Sequence, residues 1–266
     1  MSSDVTRFVG SIPELYDRHL GPVLFDPYAR DLARRLPAAV RRVLEIAAGT
    51  GRVTRQLVTR LAADGELVAT DLNEPMLAEA RRHVTDARVR WQAADAQALP
   101  LGDASFDAVA CQFGLMFMPD KALALREMRR VLRPGGVALV STWDALERNP
   151  ATQVLQELAF ASFPADPPLF MLTPFSMADP EQLRQLARDA GFAEVRVDTV
   201  AATGEAESAA HLATGFVRGN PLWNQLVERG VDAPAFEAAV ATELVRHFGD
   251  SPCRSALSAH VLTAVA

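Results

Sequence analysis

The chain of 266 residues has few of the features that mark secreted or membrane proteins. It contains only two cysteines, Cys111 and Cys253, which lie far apart, so we expect free buried thiols rather than a disulfide. No window approaches 18 uninterrupted apolar residues, so no membrane span is expected. The first residues, MSSDVTRFVGSIPELYD, lack the basic and apolar regions of a signal peptide. These absences predict a cytoplasmic protein.

Positive charge is also scarce. Lysine and arginine number 27 against 33 acidic residues, which leaves a net charge of −6, and no run of the sequence is rich in cations. Binding to nucleic acid depends on clustered cations that neutralise phosphates, so we expect no nucleic-acid partner. Hydrophobic residues make up 49% of the chain, which is enough to bury a full core.

Short apolar runs alternate with helical periodicity between residues 41 and 143. Five runs predict strands: RRVLEIA (41–47), ELVATD (66–71), RVRWQAAD (88–95), SFDAVACQF (105–113) and GVALVSTW (136–143). Two more strands are predicted at 193–201 and 255–266. Strands that alternate with helices are typical of βαβ units, in which a parallel sheet is buried on both faces.

The other segments predict helices around this sheet. We expect one domain with five parts: an N-terminal helical lid (1–38), a ligand-binding core (40–145), a helical cap in two pieces (147–178 and 205–250), and a closing helix and strands (179–203 and 255–266). In the lid, two short helices should be separated at Gly21 and Pro22. A separate small helical domain is the alternative for the cap, but neither piece has a long polar linker on each side.

The stretch EIAAGTGRVT predicts a ligand-binding turn between the first strand and a helix. Gly49 and Gly51 let the backbone approach a ligand, and the N-terminus of the helix offers free N–H groups. A dinucleotide and a sulfonium nucleoside would both suit such a turn. The dinucleotide fingerprint G-x-G-x-x-G would also require glycine at the position of Thr54, so the turn alone does not decide.

Two aspartates end neighbouring predicted strands. Asp71 closes the second strand 20 residues after Gly51, where a carboxylate can accept both hydroxyls of a ribose. Asp95 ends the third strand, where it can accept the exocyclic amine of an adenine, a contact that the dinucleotide fingerprint does not require. The alternative for each is a turn or capping aspartate. Asp95 therefore favours a nucleoside-binding enzyme over a nicotinamide-dependent one.

Four separated motifs occur in order and at matching distances: VLEIAAGTG, VATDLNEPML, AADAQALPLGDASFDAVACQFGLMFMPD and REMRRVLRPGGVALVSTW. Together they resemble the class I S-adenosylmethionine-dependent methyltransferases, in particular the small-molecule branch that includes the ubiquinone/menaquinone biosynthesis methyltransferases (methyltransferase type 11). The resemblance covers about residues 40–145. It implies an α/β, Rossmann-like fold with a seven-stranded, mostly parallel sheet, a reversed last strand and helices on both faces. It also implies S-adenosyl-L-methionine as the cofactor.

The resemblance further implies which residues contact the cofactor. The turn would pack against the methionine part, Asp71 would hold the ribose, and the adenine would lie among residues that follow the second and third strands. Tyr16 would close over the site. The cofactor-binding residues implied in this way are Tyr16, Ala47, Gly49, Thr50, Gly51, Asp71, Leu72, Met76, Asp95, Ala96, Gln112 and Phe113. Ala47 is a departure, because many relatives have glycine there.

Methyl transfer from a sulfonium is an in-line displacement, so the protein mainly aligns the reactants and excludes water. A general base is needed only if the acceptor must lose a proton, and His19 in the lid is our candidate. Large apolar residues and one arginine are predicted to line the acceptor pocket: Met116, Phe117, Trp143, Phe170, Phe216, Arg218 and Trp223. The alternatives are ordinary core positions and, for Arg218, a solvated side chain.

We therefore predict methyl transfer to the O, N or C atom of a small, largely apolar acceptor, in cofactor or secondary metabolism. One alternative is a protein of this fold that binds the cofactor without net methyl transfer, as a cyclase or a binding module. A nicotinamide-dependent oxidoreductase is disfavoured by Thr54 and Asp95. We expect no metal, because Asp95 and Asp120 lack further oxygen ligands. A homodimer is one expected assembly, since helical caps often pair.

Overall fold

Seven strands form one sheet in the computed structural model, which describes residues 8–38 and 40–266. They are β1 (Val40–Ile46), β2 (Leu61–Asp71), β3 (Val89–Ala93), β4 (Phe106–Gln112), β5 (Leu132–Trp143), β6 (Glu194–Ala206) and β7 (Cys253–Val265). Their order is β3-β2-β1-β4-β5-β7-β6. The first five pair in parallel, and β7 runs antiparallel to both β5 and β6. The predicted fold class, with its reversed last strand, is confirmed.

Helices cover both faces of the sheet. They are α1 (Ile12–Leu15), a π-helix (Tyr16–Phe25), α2 (Asp26–Arg35), α3 (Arg52–Leu57), α4 (Glu74–His83), α5 (Lys121–Val131), α6 (Pro150–Ser162), α7 (Pro180–Asp189), α8 (Ala209–Arg218), α9 (Leu222–Glu228) and α10 (Ala233–Phe248). Asp120 and Asp179 cap α5 and α7, because each side chain accepts a backbone N–H of the first turn. Short non-helical stretches separate α8 from α9 and α9 from α10.

The front segment, Ile12–Arg35, is helical throughout, so the predicted separation at Gly21 and Pro22 is wrong. The chain passes Pro22 by changing to the wider π-helical register, in which the Asp26 N–H donates to the Gly21 carbonyl. Gly21 is needed for close approach, since a Cβ there would lie 2.3 Å from the Nε of Arg52. Sequence periodicity does not reveal this change of register, and π-helices occur frequently at functional sites.

Four strands are longer than predicted, among them β2, which begins at Leu61 and not at Glu66. β5 begins at Leu132 and not at Gly136, and β7 begins at Cys253. β6 continues to Ala206, because it pairs with β7 along its whole length, from Glu194 opposite Val265 to Ala206 opposite Cys253. The second piece of the predicted cap therefore begins within a strand.

The sheet and the cap helices share one hydrophobic cluster. It contains Leu44 and Val140 of the sheet together with Leu155 of α6, Phe216 of α8 and Leu244 of α10. The other face of the sheet packs α2 and α3 against β1 and β4 in a further cluster. The carboxyl ends of the central strands consequently lie between the front segment and the cap, where ligands bind in open α/β sheets.

The cysteines and the helices can be compared with what composition predicted. Cys111 lies within β4 and Cys253 begins β7, and both thiols are buried and free, as predicted. Among the described residues, no helix is both long enough and apolar enough to cross a bilayer.

Candidate functional site

Two adjoining cavities lie at the carboxyl ends of β1, β4 and β5. The smaller, which we call the turn cavity, has a volume of about 290 Å³ including its mouth and is lined by Tyr16, Phe25, Ala47, Ala48, Gly49, Thr50, Arg52, Val53 and Gln112. The larger, the aromatic cavity, has a volume of about 690 Å³ on the same measure. Its lining consists of Phe8, Tyr16, Leu20, Leu24, Phe25, Phe113, Phe117, Trp143, Asn149, Thr152, Leu155, Phe170, Met171, Pro174, Phe175, Phe216, Asn220 and Leu257. Tyr16 and Phe25 line both cavities.

The turn after β1 takes a left-handed backbone at Ala47 (φ 55°), Gly49 (φ 55°) and Gly51 (φ 80°). Glycine adopts this conformation freely, whereas alanine is strained in it. A Cβ at Gly51 would lie 3.2 Å from the Cβ of Ala80, so the second glycine also permits close packing on α4. The predicted glycine turn is therefore present, and its residues Ala47, Gly49 and Thr50 line the turn cavity.

The methyl group of Ala47 is accommodated by a glycine on the neighbouring strand end. A Cβ at Gly114 would lie 2.5 Å from the Cβ of Ala47, so only glycine at 114 leaves room for alanine at 47. Phe113, just before it, is also left-handed, with φ 53°. Strained backbone of this kind clusters at functional sites, where the surrounding structure maintains it.

Asp71, at the end of β2, holds the turn from below. Its Oδ2 accepts the Gly49 N–H at 2.9 Å, and its Oδ1 accepts the Asn73 N–H at 2.8 Å. Burial raises the pKa of Asp71, while these hydrogen bonds lower it in part. The carboxylate is thus fixed beside the turn, and its contact with a ribose stays a prediction.

The residues predicted to contact adenine lie around the same edge of the sheet. Leu72 is 62% exposed, Met76 is buried with its Cε 3.6 Å from where a Cβ of Gly49 would stand, and Ala96 is buried. Asp95 is exposed and accepts the Gln97 N–H at 2.8 Å. The structure groups these residues beside Asp71 and the turn, and their contacts with a nucleoside stay predictions.

Two buried polar atoms beside the turn cavity have no hydrogen-bond partner in the described structure. Gln112 donates from Nε2 to the Phe25 carbonyl at 3.1 Å, but its Oε1 is unpaired. The hydroxyl of Thr50 is likewise buried and unpaired. Buried polar groups are almost always hydrogen-bonded, so these two atoms indicate a polar ligand in the turn cavity.

Glu45 is a buried carboxyl that the sequence analysis did not single out. It is 1% exposed, and its Oε2 accepts the hydroxyl of Thr54 at 2.6 Å. Burial raises the pKa of Glu45 to about 8, and the charge of Asp71 contributes in the same direction. An acidic residue inside an apolar strand was the available signal. Thr54, which stands where the dinucleotide fingerprint requires glycine, therefore donates a hydrogen bond to Glu45.

The front segment is held over the turn cavity by ion pairs. Asp17, 5% exposed, pairs with Arg52 at 2.8 Å and with Arg55 at 3.0 Å, and Asp26 pairs with Arg52 at 3.2 Å. Tyr16, next to Asp17, lines the turn cavity, and its closure over a cofactor stays a prediction. Burial raises the pKa of Tyr16 well above its ordinary value, so its hydroxyl stays protonated. The sequence analysis missed the contribution of Arg52.

Aromatic rings form much of the wall of the larger cavity. Phe113 and Trp143 are stacked with centroids 3.8 Å apart and planes 3° from parallel, and Tyr28 meets both rings edge-on. Four residues predicted to bind the acceptor are in the lining: Phe117, Trp143, Phe170 and Phe216. Phe113, predicted to lie by the cofactor, lines the aromatic cavity and is not among the turn-cavity residues.

The other three residues predicted to bind the acceptor, and the predicted base His19, lie outside both linings. Met116 is buried in the core. Arg218 forms an ion pair with Glu237 and lies 5.5 Å from the ring centroid of Trp223. His19 packs against His211, with ring centroids 4.1 Å apart and its Nδ1 3.1 Å from the His211 carbonyl. We assign no step to these residues, and the base role of His19 stays a prediction without support from its position.

Comparison with known proteins addresses the identity of this site. A family model described as a methyltransferase domain matches residues 43–136. The ubiquinone/menaquinone biosynthesis C-methyltransferases UbiE of Proteus mirabilis and Teredinibacter turnerae are 33% and 32% identical to this chain over 169 residues. These matches cover 58% of this chain and 67% and 68% of those proteins.

The chain belongs to the class I S-adenosylmethionine-dependent methyltransferases.

The match to a third relative of this methyltransferase is shorter. UbiE of Idiomarina loihiensis is 45% identical over 103 residues, which is 37% of this chain and 41% of that protein. The methyltransferase also shares its fold with phosphoethanolamine N-methyltransferase 2 of Haemonchus contortus in complex with S-adenosyl-L-methionine. That structure has a TM-score of 0.63 and 18% identity, and the match covers 98% of this chain and 58% of that one. A methyltransferase of Thermotoga maritima has a TM-score of 0.57 and 20% identity over 100% and 99% of the two chains.

The cofactor of this methyltransferase is S-adenosylmethionine. The residues of the turn cavity fit its amino-acid end, because Gln112 Oε1 and Thr50 Oγ1 are buried beside the cavity and unpaired. The N–H groups of the two turn glycines are used within the fold, since Gly49 donates to Asp71 and Gly51 donates to the Ala48 carbonyl. The fit therefore rests on the two unpaired side-chain atoms, which are independent of the family match.

Proposed function

We propose that the methyltransferase transfers the methyl group of S-adenosylmethionine to a small, uncharged, largely apolar acceptor bound in the aromatic cavity. One observation carries this proposal. The aromatic cavity adjoins the turn cavity through Tyr16 and Phe25, and none of its described lining residues has a charged side chain. A cofactor in the turn cavity and an acceptor in the aromatic cavity would thus be neighbours.

S-adenosylmethionine supplies a methyl group already activated on a sulfonium, so alignment is the main requirement. Asp71 and the glycine turn position the cofactor, and Gln112 and Thr50 bind its polar amino-acid end. Tyr16 and Phe25 of the front segment exclude water from the junction between the cavities. These tasks need no covalent step on the protein.

The uncharged lining restricts the acceptor. An ionised carboxylate or ammonium without a partner loses its hydration on burial, at a cost of several kcal/mol. A carboxylate or phosphate in the aromatic cavity would find no described cation to offset that cost. Tyr16 stays protonated, so the described lining also provides no general base at neutral pH. Oxygen, nitrogen and carbon nucleophiles that attack without such a base all suit this site.

The names of the matched relatives support a place in cofactor metabolism or a related secondary pathway, because they are assigned to ubiquinone and menaquinone biosynthesis. The aligned segments leave about a third of two of those proteins and more than half of the third unmatched. We therefore do not transfer their acceptors to this chain.

Release of S-adenosylhomocysteine tests the proposal. Purified protein is incubated with S-adenosylmethionine and with 2-naphthol, 2-naphthylamine or 6-hydroxy-2-naphthoic acid. We expect release with at least one of the two neutral compounds and at least tenfold less with the carboxylate.

Asp71→Ala should abolish both release of S-adenosylhomocysteine and its calorimetric binding, because the Gly49 N–H of the turn loses its hydrogen-bond acceptor. Binding of S-adenosylhomocysteine without release for any neutral acceptor would favour the alternative, a protein that binds the cofactor without methyl transfer.

A further inference from the structure

We propose that Thr152 of α6 determines acceptor specificity, by hydrogen bonding to an acceptor oxygen remote from the atom that receives the methyl group. The inference rests on the proposed function, since it places the acceptor in the aromatic cavity. The acceptor that Thr152 would recognise is uncharged and planar. It carries a second polar atom, a hydroxyl or a carbonyl oxygen, away from the atom that receives the methyl group.

Two of the polar side chains in the aromatic cavity are already used by the protein. Asn149 donates from Nδ2 to the Ser258 carbonyl at 3.1 Å and accepts the Ser258 N–H at 3.1 Å. Asn220 donates to the Phe216 carbonyl at 2.9 Å and accepts the Leu222 N–H at 2.9 Å. Each amide thus both donates and accepts within the fold. The hydroxyls of Tyr16 and Thr152 are left to recognise an acceptor, and neither has a hydrogen bond to any residue that the structure describes.

The position of Thr152 in its helix explains why its hydroxyl is available. Threonines inside helices commonly donate to the carbonyl four residues earlier. Thr214 does so to Ala210 at 3.1 Å, and Thr242 does so to Ala238 at 2.8 Å. Thr152 lies in the first turn of α6, and the residue four positions earlier precedes the helix. Its hydroxyl therefore has no carbonyl of its own helix to bond and can donate to a ligand in the cavity.

The two hydroxyls lie at different places relative to the junction. Tyr16 lines both cavities, so its hydroxyl belongs to the region where the methyl group would pass. Thr152 lines the aromatic cavity and is not among the turn-cavity residues, so it contacts a part of the acceptor that extends from the junction. Phe113 and Trp143, which stack on each other, both line this cavity, and such aromatic surface suits a planar acceptor ring.

The test uses two probes that differ by one distal hydroxyl, 2-naphthol and 2,6-dihydroxynaphthalene. Their dissociation constants are measured by calorimetry on protein saturated with S-adenosylhomocysteine. We expect the wild type to bind the diol about 5- to 10-fold more tightly, as one added hydrogen bond provides. Thr152→Val keeps the shape of the side chain and removes the hydroxyl, so the ratio of the two dissociation constants should fall to about 1. Thr152→Ser should retain most of the wild-type preference for the diol.

A matched control is Thr242→Val on α10, an exposed threonine outside both linings, which should keep the wild-type ratio. All variants should bind S-adenosylhomocysteine with unchanged affinity. Equal weakening of both probes by Thr152→Val, or a ratio near 1 in the wild type, would overturn the role of Thr152. If neither naphthol binds to the wild type, the proposed acceptor class is wrong as well. If both bind with the expected ratio but no methyl transfer is detected, the role of Thr152 stands and the proposed activity fails.

Discussion

At the scale of single residues, Ala47 and Gly114 act as a matched pair. Ala47 adopts a left-handed backbone that costs an L-amino acid about 1–2 kcal/mol. Its methyl group fits only because Gly114 on the next strand end has no side chain. The departure from the family's glycine at this position is therefore balanced by a second residue more than sixty positions away.

A double-mutant cycle tests this pairing. Gly114→Ala should destabilise the protein by about 1–3 kcal/mol, because the new Cβ would lie 2.5 Å from the Cβ of Ala47. Ala47→Gly alone should change the stability little, since relief of strain offsets the greater freedom of glycine in the unfolded chain. The double variant should recover part of the loss, the rest coming from Cys111 Sγ at 3.0 Å. Urea unfolding of the four proteins gives the coupling energy, and strictly additive effects would contradict the pairing.

Glu45 is the second residue whose chemistry depends on its surroundings. Its pKa is raised from about 4.5 to about 8, mainly by burial. The folded state therefore keeps a proton that the unfolded chain releases above pH 4.5. Its contribution to stability is complete below about pH 4.5 and is lost as the pH rises towards 8.

Glu45→Gln should remove this pH dependence. The free energy of unfolding of the wild type is measured in urea without cofactor. Between pH 5 and pH 8 it should fall by a few kcal/mol, at about 1.4 kcal/mol per pH unit. The variant should show a clearly smaller fall, because glutamine is neutral throughout and can still accept from Thr54. Glu205→Gln is a control, since Glu205 is an exposed partner of Arg254 and its removal should leave the slope unchanged. Equal slopes for Glu45→Gln and the wild type would show that Glu45 is ionised in the folded state.

At the scale of elements, the front segment lines both cavities and is also held to α3 by ion pairs. The π-helix presents Tyr16 and Phe25 to the cavities and Asp17 to Arg52 and Arg55. Its wide register brings Gly21 against the guanidinium of Arg52. Cofactor binding and the position of this segment are therefore expected to depend on one another.

Asp17→Asn should loosen the front segment. Removing a buried carboxylate leaves two arginines without their shared partner, so we expect the affinity for S-adenosylhomocysteine to fall about tenfold, or 1.4 kcal/mol. Hydrogen exchange of Tyr16–Phe25 should accelerate while β4 and β5 stay protected. Asp31→Asn serves as a control, because Asp31 pairs with Arg35 on the same segment and lines neither cavity. Unchanged exchange in Asp17→Asn would show that packing alone holds the segment.

At the scale of the whole molecule, the sheet order brings together groups from distant parts of the chain. β1, β4 and β5 are adjacent, so the glycine turn, Gln112 and Trp143 emerge at one edge. The cap covers this edge from the side of α6 and α8, whose residues share a core with the sheet. The two cavities are the space left between the sheet, the front segment and the cap.

Local patterns predicted the parts of this arrangement that depend on neighbouring residues. Apolar runs identified the strands, and the turn and Asp71 were recognised because small residues and an acid at strand ends are informative on their own. The π-helix was missed, because its register differs from that of an α-helix by hydrogen bonds and not by residue type. Thr152 and Phe25 were missed because the cavities that they line are formed by segments distant in the sequence.

The sequence by itself therefore determined the fold class, the family and the region of the cofactor site, since these follow from periodicity and from motifs within about a hundred residues. Only the tertiary structure decided which side chains face each cavity. It placed Phe113 in the lining of the aromatic cavity, paired Arg218 with Glu237, and left the hydroxyl of Thr152 without a partner among the described residues. The physical reason is that burial and hydrogen bonding at a cavity are set by packing between distant segments, which no local pattern encodes.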